Sequence, residues 1–162
     1  DNPFYEVTNS IASAWFARDY LVDDVVLING DIVMEEKLVR DIVCSRVEQP
    51  EVCIDSSIKS NGDYNVQVNG SKILVMSKDL DEYYGEYAGV TRLDKESALK
   101  FRKCVSTMVE QGMYDQWYEN ALVQMIFNED FQLYYDDVRD YKWTEVDCVS
   151  DMLLAKQIHA EY

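Results

Sequence analysis

Three carboxylates stand where a strand-built site would hold a cation. The run Val25-Val26-Leu27-Ile28-Asn29 ends in Gly30 and Asp31. Such an apolar run reads as a buried strand, and a carboxylate just past its end lies in the crevice where α/β sheets bind ligands. Much later, Trp143-Thr144-Glu145-Val146-Asp147 reads as a second short strand. Side chains alternate along a strand, so Glu145 and Asp147 share a face. Hard oxygen donors from two such stations suit Mg²⁺ with positions left open for phosphate. On pattern alone, Asp31 fits a turn residue or a helix N-cap as well as a ligand.

Composition narrows the chemistry further. A formal charge of −16 excludes a nucleic-acid backbone as partner. Phosphate chemistry on such a chain requires Mg²⁺ and locally concentrated Lys or Arg. No apolar run reaches the length of a membrane span, and no charged-then-apolar leader opens the chain, so neither a membrane nor a secretory route is expected. The start at Asp1-Asn2-Pro3, without Met, reads as a processed or excised piece. Cys44, Cys53, Cys104 and Cys148 lack Cys-x-x-Cys spacing, and their apolar neighbours predict buried free thiols in a reducing cytoplasm. One histidine, His159, leaves no Ser-His-Asp, Cys-His or His-Glu-x-x-His arrangement and no structural zinc site, and its place late in the final helix predicts a surface position.

The elements that must position these groups follow from pattern. Thr8-Asn9-Ser10 offers N-caps for a helix from Ile11. The strand Val25 to Asn29 precedes a helix from about Glu35 to Ser45 and, after Pro50, the short strand Val52 to Asp55. That strand–helix–strand alternation predicts a parallel sheet. Tyr64 to Val68 and Ser71 to Met76 flank Asn69-Gly70, predicting a hairpin with a type I′ turn. A strand is expected over Tyr87 to Thr91. Asp94 then caps a helix to about Gln111, with Ala98, Phe101, Val105 and Met108 on one face. A helix near Trp117 to Phe127, strands at Leu133 to Tyr135 and Trp143 to Val146, and a helix over Ser150 to His159 complete the chain. With 162 residues and no repeat or linker, residues 1–162 read as one domain.

In order along the chain, Asn2-Pro3-Phe4-Tyr5 with Thr8-Asn9-Ser10-Ile11-Ala12-Ser13, then Leu27-Ile28-Asn29-Gly30-Asp31 and Met76-Ser77-Lys78, resemble a known set of motifs. So do Gly85-Glu86-Tyr87-Ala88-Gly89-Val90, Trp117-Tyr118-Glu119, and Trp143 to Asp147 with Asp151 and Ala155. The set is similar to that of phosphocholine cytidylyltransferase-like members of the nucleoside-diphosphate-sugar pyrophosphorylase superfamily. That family opens with a strand and a Gly-rich loop, Gly-x-Gly-(Thr/Ser)-Arg-Leu…Pro-Lys, which nothing here matches. The chain resembles the carboxyl-terminal two-thirds of such an enzyme.

The resemblance implies an α/β fold of nucleotidyltransferase type A character, amino-terminally truncated, with a mostly parallel, Rossmann-like mixed sheet flanked by helices. It implies transfer of CMP from CTP, or of a nucleotide from another NTP, to phosphocholine or a similar phosphomonoester, with release of pyrophosphate and Mg²⁺ as cofactor. Asp31, Lys78 and Asp147 become the catalytic candidates, with Asp31, Glu145 and Asp147 as metal ligands. Lys78 suits a substrate phosphate as a compact point charge. Asn9, Ser13 and Gly30 are placed beside the nucleotide, although capping and helix packing explain Asn9 and Ser13 as well. Aromatics make up 12% of the chain. Tyr5, Tyr87, Trp117, Tyr118 and Trp143, with Glu119 or Glu145, offer a box for a quaternary ammonium. A sugar-1-phosphate acceptor, or a non-catalytic remnant that binds a nucleotide or a protein, are the alternatives. A missing sheet edge leaves room for a homo-oligomer or for an amino-terminal segment.

Overall fold

Asp94 sets the longest helix in place. Its carboxylate accepts from the backbone N–H groups of Glu96 and Ser97, and α3 runs over Lys95–Glu110. Ala98, Phe101, Val105 and Met108, one helical stripe, are buried as the spacing predicts. The computed structural model describes residues 2–58 and 62–160. In chain order it contains α1 (Ser10–Phe16), β1 (Val25–Ile28), β2 (Ile32–Met34) and α2 (Glu36–Leu38), which continues as a π-helical turn, Val39–Val43. Next come β3 (Glu51–Asp55), β4 (Asn65–Asn69), β5 (Lys72–Ser77) and β6 (Gly85–Leu93). After α3 follow α4 (Glu119–Glu129), β7 (Tyr134–Asp137), β8 (Trp143–Glu145) and α5 (Val149–Ala160).

Six strands form one sheet in the order β1-β6-β3-β7-β5-β4, and β2 pairs separately with β8. The expectation of a mostly parallel sheet is corrected here. Among the described strands only β3 and β7 run parallel; β1–β6, β3–β6, β4–β5, β4–β6, β5–β7 and β2–β8 are antiparallel. The strand–helix–strand unit does exist, and β1 and β3 point the same way. However, β6 inserts between them, and that insertion depends on a strand thirty residues further on. Nor is β1 a buried strand. It is an edge strand, and Val26 and Ile28 stay 39% and 48% exposed, while Val25 and Leu27 face the core.

The central strand, β6, is buried along all nine residues. One of its edges changes partner: Gly85 and Glu86 pair with β4, and Val90 to Leu93 pair with β1. Gly89 sits at this change with φ 70°, a conformation that L side chains rarely adopt. The hairpin is as expected, but its turn is not. Asn69 pairs with Lys72, so Gly70 and Ser71 are the central residues, and only Gly70 has positive φ, at 61°. That pattern belongs to type II′ rather than type I′, which needs both central residues at positive φ.

Two apolar layers cover the sheet. α1, α3 and α4 supply Ile11, Phe101, Val105, Leu122 and Met125 to the larger core, and α2 supplies Leu38 to the smaller, alongside Cys53, Val90 and Val138. All four cysteines are free, and Cys53 is buried. Cys44 and Cys148 are exposed, against expectation, because each lies where an element ends rather than on its inward face. His159 is exposed on the last turn of α5. No helix among the described residues is long and apolar enough to cross a membrane.

Candidate active site

The β2–β8 ribbon joins the two carboxylate stations. Ile32 pairs with Glu145, Val33 with Thr144 and Met34 with Trp143. The ribbon is closed at both ends: Val146 N–H donates to the Asp31 carbonyl at 3.0 Å, and Glu35 N–H donates to the Lys142 carbonyl at 2.9 Å. Strand β1 turns into it through Asn29-Gly30-Asp31, where Asn29 N–H donates to the Gly89 carbonyl at 2.9 Å. As a result, carboxylate oxygens of Asp31, Glu145 and Asp147 lie within 4.8 Å of one another. Among the described residues none of the three forms an ion pair. Three carboxylates held this close, none of them in an ion pair among the described residues, fit a hard divalent cation.

Gly89 connects the fold to this cluster. A Cβ there would lie 2.4 Å from Cγ1 and 2.6 Å from Cδ1 of Ile32, the residue after Asp31. Gly89→Ala is therefore expected to cost about 1–3 kcal/mol through its left-handed backbone, and to displace β2. Denaturant unfolding with a parallel Mg²⁺ titration checks this; unchanged stability and metal affinity would contradict it.

Two hollows meet at the cluster, and Glu145 and Asp63 line both. The larger, about 550 Å³, is bordered by the carboxylates Asp55, Asp63, Glu86, Glu145, Asp147 and Asp151, and by Lys142, Trp143, Leu154 and Ile158. The Trp143 indole N–H donates to Asp55 at 3.0 Å, which fixes the ring in this wall. The smaller, about 60 Å³, is bordered by Asn29, Tyr64, Lys78, Tyr87, Trp117 and Glu119. Here Lys78 Nζ stands 4.4 Å from the centre of the Trp117 ring. Asn29 Nδ2 donates to one oxygen of Glu119 at 3.4 Å; the other oxygen is buried without a partner among the described residues.

The aromatic box predicted from sequence is thus divided. Trp117 and Tyr87 line the smaller hollow with Glu119, and Trp143 lines the larger. Tyr118 lies in the core, its hydroxyl 2.6 Å from that of Tyr87 and its ring edge-on to Phe101. Tyr5 is 71% exposed near the start of the chain. Asn9 caps α1 through its side-chain oxygen, and the Ser13 hydroxyl accepts from Asn2 at 3.3 Å. Gly30 is exposed in the turn before Asp31, with open space where a Cβ would project. Sequence reasoning did not single out Tyr64, Asp55, Glu86 or Asp63 as site residues. Asp55 carried the same signal as Asp31, a carboxylate at the end of an apolar strand.

Burial, reinforced by Asp31 and Asp147, pushes the Glu145 carboxyl up to about 7. Burial also lifts Glu119 to about 7, against opposing hydrogen bonds and the charge of Lys78. A carboxyl that holds its proton more tightly when folded contributes stability that is complete below its ordinary value of 4.5 and lost as pH rises through 7. Asp137 and Asp151 are held below their ordinary range and titrate beneath this window. The metal-free protein is therefore expected to melt at lower temperature at about pH 8 than at about pH 5.5. Glu145→Gln should flatten part of that slope, and Mg²⁺ should restore stability at the higher pH. A melting temperature that rises with pH would contradict the assignment.

No protein-family model and no curated protein sequence matches the chain. Its fold does match solved structures. The inositol-1-phosphate CTP transferase of T. maritima aligns with 92% of this chain and 62% of its own, at 18% identity and TM-score 0.68. The CTP:phosphocholine cytidylyltransferase of Streptococcus pneumoniae aligns with 99% of this chain and 67% of its own, at 16% identity and TM-score 0.74. A Bacillus anthracis protein assigned as a glucose-1-phosphate thymidylyltransferase, solved with sucrose, aligns with 96% and 63%, at 17% identity and TM-score 0.66. The chain has the fold of these nucleotidyltransferases and spans about two thirds of their length.

Proposed function

We propose that this chain carries the acceptor and metal half of a nucleotidyltransferase that passes CMP from CTP to phosphocholine or a similar cationic phosphomonoester. The observation that carries this reading is the meeting of Asp31, Glu145 and Asp147 within 4.8 Å, between an acidic cleft and an aromatic pocket. In the reaction, an acceptor phosphate oxygen forms a bond to the α-phosphorus and the bond from that phosphorus to the bridging oxygen breaks, releasing pyrophosphate. No covalent enzyme intermediate is required; placement and charge neutralisation are. Asp31, Glu145 and Asp147 would hold Mg²⁺, which supplies Lewis-acid stabilisation of charge on the reacting phosphate.

The chain's own groups do the positioning. Lys78, on a flexible stem beside the cluster, neutralises the acceptor phosphate. Trp117 offers its ring face to an ammonium group, Tyr64 and Tyr87 line the same pocket, and the Glu119 oxygen left without a partner among the described residues offers it a charge. The carboxylate lining of the larger cleft also favours a cationic head group over a neutral sugar. Mg²⁺-dependent binding of CDP-choline, compared with UDP-glucose by calorimetry, tests the acceptor class. Tighter binding of CDP-choline is expected; preference for UDP-glucose would favour the sugar-1-phosphate alternative.

A further inference from the structure

The smaller pocket already contains a cation of its own. Lys78 follows the last residue of β5, and its Nζ lies over the Trp117 ring at 4.4 Å. Tyr64 meets the same indole edge-on at 6.4 Å. Glu119 is only 4% exposed, and one of its oxygens has no hydrogen-bond partner among the described residues. An aromatic face beside a buried, unpartnered carboxylate is a place for an organic cation. Yet with Lys78 there, the open space is about 60 Å³, roughly two water molecules at about 30 Å³ each. Lys78 Nζ occupies the Trp117 face that a branched ammonium head group would need. Lys78 is exposed and forms no ion pair among the described residues, so it is the part of the wall that yields.

We propose that Lys78 is a tethered stand-in for the substrate's cation: it fills the Trp117–Glu119 pocket in the free protein, and the incoming ammonium displaces it toward the substrate's phosphate. This rests on the reading of the acceptor as a cationic phosphomonoester. It adds a selection rule. A bare ammonium must expel Lys78 and gives it nothing to bind. Bare phosphate leaves the aromatic pocket closed. A ligand with both groups exchanges one cation for another on Trp117 and gives Lys78 an anion.

The test is calorimetric titration of choline and of phosphocholine, without nucleotide, into the unaltered protein, Lys78→Met and Trp117→Leu. The unaltered protein should bind phosphocholine at least about tenfold more tightly than choline. In Lys78→Met choline should tighten about tenfold, the scale of one desolvated cation–π contact, and the preference for phosphocholine should vanish. Trp117→Leu, alone or combined with Lys78→Met, should weaken choline relative to the matching protein that keeps Trp117. Choline affinity that is unchanged or weaker in Lys78→Met, or choline binding to neither the unaltered protein nor Lys78→Met, overturns the proposal. That failure is separable from failure of the transferase reading, which rests on pyrophosphate release and not on choline.

Discussion

Asp31→Ala is expected to reduce Mg²⁺-dependent nucleotide affinity by at least about 100-fold while leaving the melting temperature nearly unchanged. Loss of a group that merely orients a ligand already costs metal sites about 10–100-fold, so loss of a ligand should reach or exceed that range. The fold should not notice. The Asp31 side chain is exposed and accepts no hydrogen bond among the described residues; its structural tie is its carbonyl, which Val146 engages and which alanine retains. Surface changes of this kind stay within about 0.5 kcal/mol. Removing one of three crowded carboxylates also eases the charge on Glu145. Calorimetry with Mg²⁺ and CDP-choline, beside a thermal melt, reads both halves. Unaltered affinity would remove Asp31 from the metal site, and a collapsed melt would make it structural.

The second large effect lies far from the site. Arg92, 1% exposed in β6, donates to Glu51 at 2.5 Å and to Asp136 at 3.2 Å, tying together three neighbouring strands. Its other terminal nitrogen donates to the Ser45 carbonyl and hydroxyl and to the Arg46 carbonyl, which pins the end of the α2 segment to the sheet. Arg92→Ala leaves two carboxylates facing each other and unsatisfied backbone oxygens beneath them. Removing one partner of a buried ion pair costs about 3–5 kcal/mol, a large part of a single domain's stability. Urea unfolding should show a midpoint lowered accordingly. A loss below about 1 kcal/mol would mean that water reaches the network and replaces the guanidinium.

What the sequence disclosed was mostly local. The α3 stripe and its Asp94 cap, the Gly70 hairpin, and a carboxylate after each of two strands are short-range patterns, and the structure contains them. Pairing is long-range, and local residue patterns carry little of it. Nothing between Val25 and Asp55 signals that β6 will lie between β1 and β3, so alternation suggested a parallel sheet. Ile32-Val33-Met34 is too short to stand out as a strand, yet its pairing with Trp143-Thr144-Glu145 is what brings Asp31 to Glu145 and Asp147. The aromatic candidates were separated for a similar reason. Trp117, Tyr118 and Glu119 are consecutive, but the entry into α4 turns Tyr118 toward Phe101 and leaves Trp117 and Glu119 at the pocket. Tyr64 carried no motif, and only the folding of β4 beside β6 places its ring against Tyr87 and Trp117.

The most direct test of the central claim is pyrophosphate release from CTP with phosphocholine and Mg²⁺, run on this chain alone and joined to a segment that carries a Gly-rich loop. Release is expected to require both phosphocholine and Mg²⁺, to yield CDP-choline as co-product, and to disappear in Asp31→Ala. Absence of pyrophosphate from both forms, or release that Asp31→Ala leaves intact, would contradict that claim.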